Sequence, residues 1–244
     1  MAGLTGRAVD TPEEADVIVD DVIDSGATRD RWMAQYPSRA FWALTRRQGE
    51  WIQFPWEARD TTTDLEDTVR RQLEFLGEDW QREGLRDTPR RVMAALQELT
   101  RGYQQDPATI LQVTFQADCD QMVVVRDIPF WSLCEHHLLP FHGFVSLGYL
   151  PKDGRIVGLS KLPRLVQCFA RRLQVQERLT QQIAEAVMEY LYPLGVGVEV
   201  RGEHTCMQMR GIQSAGQMRT SALLGVFREG LVRAEFLGLI HGHQ

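Results

Sequence analysis

Residues 144–159, FVSLGYLPKDGRIVGL, indicate what kind of sheet this chain builds. Residues 144–150 and 156–159 are apolar runs typical of strands, and residues 151–154 (PKDG) between them are turn formers. The stretch therefore predicts a β-hairpin. Residues 122–125 (MVVV) predict one more strand ahead of it.

Helical patterns lie on both sides of these strands. Residues 61–64 (TTTD) open an apolar stripe that ends at Gly77, and a second helix is expected to begin with Thr88 as its N-cap and Pro89 in its first turn. A long helix is predicted over residues 173–191. Helices, a hairpin, a helix and further strand indicate the α+β class with an antiparallel sheet.

The front of the chain differs in composition from the rest. Residues 1–30 carry eight Asp or Glu and two Arg, which predicts a mobile tail with at most one short helix. Residues 31–56 contain seven Trp, Tyr or Phe, too many for a free linker. This aromatic segment is expected to pack on the main body or on another subunit; the alternative is a regulatory segment that docks a partner.

Composition excludes several classes of protein. Beyond residue 30, 25 acidic and 25 basic residues balance, which argues against non-specific nucleic-acid binding. Four cysteines are too few for a disulfide scaffold, and the sequence has no apolar run of about 18 residues that would predict a membrane span. Since the N-terminus also lacks a secretory pattern, we expect a protein of the reducing cytoplasm.

Cysteine and histidine are concentrated in two short segments, residues 134–137 (CEHH) and 204–206 (HTC). Thiolates and imidazoles are the ligands that zinc prefers, and Cys134 is spaced so that only one of His136 and His137 easily shares an ion with it. The other histidine is then free to move protons. Three good protein ligands without a convincing fourth favour a zinc ion that keeps one position for water, and therefore chemistry over a structural role.

Residues 196–212 predict one long extended segment. In a strand, alternate side chains share a face, so His204, Cys206, Gln208 and Arg210 are expected to project into one space. The segment would thus bring a metal ligand, an imidazole and a cation together.

A second group of polar residues lies at a junction between strand and helix. Ser160, Lys161 and Arg164 are expected there, and with Arg210 they predict a pocket for a polyphosphate, although basic residues near a helix start are often only solvated. Glu177 could read the N1–H and amino group of guanine, but by spacing alone it would more often be an exposed helix residue.

Together these segments resemble GTP cyclohydrolase I, the zinc enzyme that opens pteridine and folate biosynthesis. The matching stretches are residues 132–141 (SLCEHHLLPF), 158–180 (GLSKLPRLVQCFARRLQVQERLT) and 204–211 (HTCMQMRG), with support from residues 83–92, 123–128 and 220–227. The resemblance covers roughly residues 65–240 and does not extend to residues 1–60.

The resemblance assigns a role to each residue of the site. It implies Cys134, His137 and Cys206 as zinc ligands with water in the fourth position, and His136 and His204 as the proton-transfer histidines. Ser160 would take part in the ribose steps. Glu177, helped by Gln176, would hold the guanine, and the triphosphate would be held by Lys161, Arg164, Arg210 and, from a neighbouring subunit, Arg91.

The resemblance also implies an architecture and a reaction. The fold would be the tunnelling fold (T-fold), an antiparallel sheet with helices on one face, assembled into a homodecamer with active sites between subunits. We expect an extension over residues 1–60, a helical region over 61–120 and a catalytic domain over 121–244. Zinc-bound hydroxide would attack C8 of GTP, release formate and lead to 7,8-dihydroneopterin triphosphate. The alternatives are a GTP-binding regulator without turnover, a T-fold reductase, and a zinc-stapled interaction module.

Overall fold

The computed structural model describes residues 17–23, 27–38, 40–46 and 65–242. It divides into two compact units, Met1–Asp64 and Leu65–Gln244. The described elements of the first unit are strand β1 (Val17–Ile23), helix α1 (Ala27–Gln35) and strand β2 (Ala40–Arg46). The two strands pair in parallel, which requires a crossover such as α1 between them.

Strand β1 differs from the mobile tail expected for residues 1–30. Its sequence, VIVDDVI, contains five β-branched residues, and these favour an extended backbone over a helix or coil. The expected packing of the Trp-rich segment on the main body or on another subunit stays a prediction, and residues 1–16, 24–26, 39 and 47–64, with the predicted helix opening at 61–64, lie outside the described ranges.

Three helices open the second unit: α2 (Leu65–Phe75), α3 (Thr88–Leu99) and α4 (Pro107–Leu111). Gly77, with a φ of +84°, follows α2 as predicted, because glycine adopts the left-handed region without a steric cost. The predicted cap of α3 is wrong by one residue: Asp87 precedes the helix and Thr88 is already helical. Pro89 still lies in the first turn, where its missing N–H breaks no helical hydrogen bond.

The rest of the second unit contains the main sheet. Its elements are β3 (Thr114–Gln116), β4 (Val123–Cys134), β5 (Pro140–Leu150), β6 (Arg155–Val157), α5 (Lys161–Ala170), β7 (Leu173–Gln174), α6 (Gln176–Leu191), β8 (Gly195–His204), α7 (Thr205–Gln208), β9 (Gln217–Gly225) and α8 (Gly230–His241). Five strands form one sheet in the order β7-β4-β5-β8-β9. All neighbours are antiparallel except the short β7–β4 pair, which confirms the predicted class.

The predicted hairpin over residues 144–159 is wrong, although its turn is present. Arg155 N–H donates to Lys152 O at 3.1 Å and Gly154 has a φ of +69°, but β6 then pairs with β3. Both edges of β5 are already hydrogen-bonded, to β4 and to β8, so β6 has no free edge there. The hairpin that does form joins β4 to β5 and closes between Cys134 and Pro140.

The predicted strand over residues 196–212 is also too long. Strand β8 ends at His204, and residues 205–208 form one helical turn whose Thr205 hydroxyl donates to Pro140 O at 2.5 Å. Alternate positions from 204 to 210 therefore do not share a strand face. Arg210 lies beyond this turn and still reaches the group of predicted ligands, since its Nη1 is 3.1 Å from His137 Nε2.

Helices α4, α5 and α6 pack on one face of the sheet, as expected for helices on one face. Alternate residues of β5 and β8 point into this core, and all of them are fully buried: Val145, Leu147, Tyr149, Val196, Val198 and Val200. Helix α8 is an addition, since it covers part of the opposite face through Phe236, which packs on Phe227 just before the helix. No helix among the described residues combines the length and apolar character needed to cross a membrane.

Candidate active site

The structure brings three potential metal ligands together at one end of the main sheet. The ligand atoms of Cys134, His137 and Cys206 all lie within 4.8 Å of one another, and Cys134 Sγ is 3.7 Å from His137 Nδ1. Cys134 ends β4, His137 follows in the turn, and Cys206 belongs to α7.

The residues of this group fit a zinc ion. A tetrahedral zinc with bonds of about 2.3 Å to sulfur and about 2.0 Å to nitrogen separates its ligand atoms by about 3.5–3.8 Å. The distance between Cys134 and His137 matches this range, and two thiols with one imidazole are donors that zinc prefers. Among the described residues the group contains three such side chains, which leaves one tetrahedral position for a small molecule.

The pKa of Cys206 and a contact of His137 with Arg210 describe the electrostatics of this group. Burial, and next the neighbouring Cys134 thiol, raise the pKa of Cys206. Arg210 Nη1 lies 3.1 Å from His137 Nε2, a contact in which the imidazole nitrogen accepts. A neutral His137 that binds a metal through Nδ1 carries its proton on Nε2, so metal binding and this contact exclude one another.

His136 lies beside the metal group but is exposed. Its Nδ1 is 3.7 Å from Cys134 Sγ, and its Nε2 is 4.0 Å from a carboxylate oxygen of Glu135. The Arg178 guanidinium donates to Glu135 and lowers the pKa of that carboxyl, so a negative charge stays beside the imidazole. His136 is thus placed to exchange protons next to a metal-bound molecule without being one of the three ligands.

His204 is the second histidine at the site and is held from two sides. Its ring stacks on Phe141 with centroids 4.6 Å apart and an interplanar angle of 7°, and its Nε2 lies 2.9 Å from Gln176 Oε1. Burial lowers the pKa of His204, and the carboxylate of Glu177 opposes that shift. Burial of the ring therefore favours the neutral form of His204.

The two residues expected to hold guanine differ in their exposure to solvent. Glu177, in the first turn of α6, is exposed and close enough to His204 to act on its charge. Gln176 is only 1% exposed, and its amide nitrogen donates to Val200 O and Met218 O, each at 3.1 Å. The contact to guanine stays a prediction for both.

The predicted phosphate residues of α5 lie away from the metal group. Ser160 lines a cavity of about 680 Å³ together with Ile128 and Pro129, and no lining residue of this cavity belongs to the metal group. Cys134 is five residues beyond Pro129 on the same strand, which at about 3.3 Å per residue is about 17 Å. Lys161 begins the same helix, so it too lies near that distant end.

The other two predicted phosphate-binding arginines are not joined to the metal group either. Arg164 lines a second cavity, of about 620 Å³, with Arg101 and Asp106. Arg91 is exposed on α3, where it pairs with Asp87 at 3.3 Å. Within one chain, therefore, the structure gathers the predicted metal ligands, the two histidines, Glu177 and Arg210, but not the residues of α3 and α5.

Sequence reasoning missed the residues that support His204. Phe141 lies opposite His204 in the register of β5 and β8, and Thr220 on β9 contacts Gln176. Neither contact has a signal in the spacing of the sequence, because each depends on which strands pair. The pairing of β5 with β8 would have pointed to Phe141.

Comparison with known proteins places this fold and site in one family of enzymes. The family model for GTP cyclohydrolase I matches residues 65–241. GTP cyclohydrolase 1 of Campylobacter lari is 53% identical over 180 residues, which is 72% of this chain and 94% of that protein. The same enzyme of Nitrosospira multiformis is 54% identical over 179 residues, 72% of this chain and 93% of that protein.

A further relative, GTP cyclohydrolase 1 of Porphyromonas gingivalis, is 50% identical over 186 residues, covering 75% of this chain and 96% of that protein. The fold and the site define a tunnelling-fold enzyme of the hydrolase class. The chain belongs to the GTP cyclohydrolase I family.

Proposed function

We propose that this chain is a zinc-dependent enzyme that opens the imidazole ring of the guanine of GTP, releases formate and forms 7,8-dihydroneopterin triphosphate, the first step toward tetrahydrofolate and other pterins. The observation that carries the proposal is the group of Cys134, His137 and Cys206, with His136 and His204 beside it. Three ligands suit a catalytic ion rather than a structural one.

The side chains around this group supply the remaining chemistry. When bound, zinc supplies a water of lowered pKa that can attack C8 of the purine. His136 and His204 exchange protons with the ring nitrogen and with the departing formyl group. Glu177 accepts hydrogen bonds from the guanine N1–H and amino group, since its exposed carboxylate faces the same space as His204.

The triphosphate is held by arginine and lysine side chains from more than one copy of the chain. Arg210 lies at the metal group. Lys161 and Arg164 lie in the first turn of α5, and Arg91 lies on α3. A substrate bound at the metal of one copy therefore meets Ser160, Lys161 and Arg164 of a neighbour in a homo-oligomer, which we take to be a decamer. We place the reaction in the cytoplasm, where the four free thiols stay reduced.

Incubation of the purified protein with GTP tests the proposal. We expect stoichiometric formate and, after oxidation, a fluorescent pterin. His204→Ala should keep its zinc, since His204 is not one of the three ligands, and should lose turnover. His142→Ala is a matched control, because His142 stacks on Trp131 on the opposite face of the sheet.

Two results would contradict the proposal. A protein that binds GTP but releases no formate would be a regulator with a retained metal group. A fully active His204→Ala protein would remove His204 from the mechanism.

A further inference from the structure

The side-chain amide of Gln176 has only one orientation that satisfies its neighbours. Its nitrogen is surrounded by Val200 O and Met218 O at 3.1 Å and by Thr220 Oγ1 at 3.2 Å. The two carbonyl oxygens can only accept, so the NH₂ group must face them. The amide oxygen is therefore the atom that faces His204.

A pair of threonines confirms this orientation independently. The Thr180 hydroxyl donates to the backbone carbonyl of Gln176 at 2.7 Å, so its single proton is used. Thr220, 2.6 Å away, must then donate to Thr180, which leaves Thr220 Oγ1 to accept from the Gln176 amide. The amide nitrogen thus faces three acceptors, and its two hydrogens are shared among them.

The same reasoning fixes the proton of His204. The Gln176 amide oxygen accepts and cannot donate, so a neutral His204 at 2.9 Å must carry its proton on Nε2. The Phe141 ring, fully buried and parallel to the imidazole at 4.6 Å, fixes the plane of the His204 ring. The ring is then fixed both in plane and in rotation, and its remaining nitrogen, Nδ1, is unprotonated.

We infer that Gln176 is a positioning residue for His204: it sets the tautomer and the rotation of the imidazole, so that the ring presents an unprotonated Nδ1 to the substrate. The inference rests on the proposed function, in which His204 transfers protons. It gives Gln176 a role that differs from direct contact with guanine, because both of its amide hydrogens are used inside the protein.

Three variants separate this role from a structural one. Gln176→Met keeps the length of the side chain but removes the acceptor, and kcat should fall on the order of ten- to a hundredfold with KM unchanged. Gln174→Met is the matched control. Gln174 is an equally buried glutamine, 1% exposed, that bonds to Phe169 O, Gln182 Oε1 and Arg178 Nε and contributes no bond to His204. His204→Ala is the third variant and sets the loss of kcat expected when the imidazole itself is missing.

The wild-type holoenzyme provides a further test that does not depend on kinetics. In protein labelled with ¹⁵N-histidine, solid-state NMR should show His204 with a protonated Nε2 and a bare Nδ1, the signal being assigned by its absence in His204→Ala. A protonated Nδ1 would overturn the inference.

The kinetic outcomes are equally distinct. Equal losses of kcat in Gln174→Met and Gln176→Met, or a Gln176→Met change confined to KM, would each overturn the positioning role. An inactive His204→Ala with a fully active Gln176→Met would refute this inference alone. An active His204→Ala would remove His204 from the mechanism and the inference with it, whereas a wild-type protein that releases no formate from GTP would refute the proposed function itself.

Discussion

Gly202 has no side chain at the point where strand β8 passes the amide of Gln176. A Cβ atom at this position would lie 2.2 Å from Gln176 Oε1 and 3.6 Å from His204 Nε2. Since Gln176 is enclosed and its amide nitrogen is fixed by backbone acceptors, the side chain has little freedom to move aside. Glycine at 202 is thus a steric condition for the bond between Gln176 and His204.

Replacement of Gly202 by alanine should therefore slow catalysis by displacing Gln176, a residue that is inferred to make no contact with the substrate. We expect Gly202→Ala to lower kcat, as Gln176→Met does. It should also reduce the free energy of unfolding by about 1–3 kcal/mol through overpacking. Formate release and urea unfolding measure the two effects.

Gly238→Ala is the control for that substitution, because a Cβ at Gly238 in α8 meets no atom within 4 Å. It should leave kcat unchanged and stabilise the helix by up to about 1 kcal/mol. Wild-type kcat in Gly202→Ala would show that Gln176 tolerates displacement.

Residues whose roles depend on element type and spacing could be predicted, and residues whose roles depend on strand pairing could not. Cys134, His137 and Cys206 lie together as their spacing suggested. Cys206 does so for a different reason from the predicted one, because it belongs to a helical turn instead of an extended strand. The interior position of Gln176 follows from contacts with β8 and β9, which the sequence around residue 176 does not encode.

At the scale of elements, helix α8 packs on the face of the sheet opposite α5 and α6. Phe236 is fully buried and meets Phe227 edge to face at 5.4 Å. It also fills the space above Gly148 and Gly197, where any side chain would collide with these rings. The C-terminal end of the helix is tied down as well, since His241 Nε2 lies 2.8 Å from the buried carboxylate of Glu199.

Truncation of Phe236 should consequently cost far more than truncation of an exposed residue on the same helix. Phe236→Ala is expected to lower the free energy of unfolding by about 3–5 kcal/mol, the range for a large buried aromatic residue. Leu231→Ala, at a position 89% exposed, should change it by no more than about 0.5 kcal/mol. Equal effects in a urea titration would mean that α8 contributes little to stability.

Element types were predictable wherever the apolar pattern extended over many residues, as in α6 and in the strands within residues 122–150. Element partners were not, because β5 and β6 have the sequence of a hairpin and yet pair with different strands. The end of β8 was missed because the hydroxyl of Thr205 bonds to Pro140 O on the neighbouring strand, and this tertiary contact accompanies the start of a helical turn.

At the scale of the whole molecule, the chain divides after Asp64, and the family match begins at Leu65. The α+β class followed from the order of the elements, because helices that precede and interrupt antiparallel strands allow few other arrangements. The strands of the first unit did not follow. Each strand is only seven residues long, and a strand pair gains most of its stability from partners that are distant along the chain.

Ser160, just before α5, lies near Pro129, about 17 Å of strand away from Cys134, and this placement has a genetic consequence. If each site takes His204 from one copy and Arg164 from another, two defective chains can repair one another. His204→Ala and Arg164→Ala proteins, each inactive alone, should regain formate release when they are co-expressed, since some mixed sites combine both intact residues. Co-expressed chains that stay as inactive as either parent would locate both residues in a site made by a single copy.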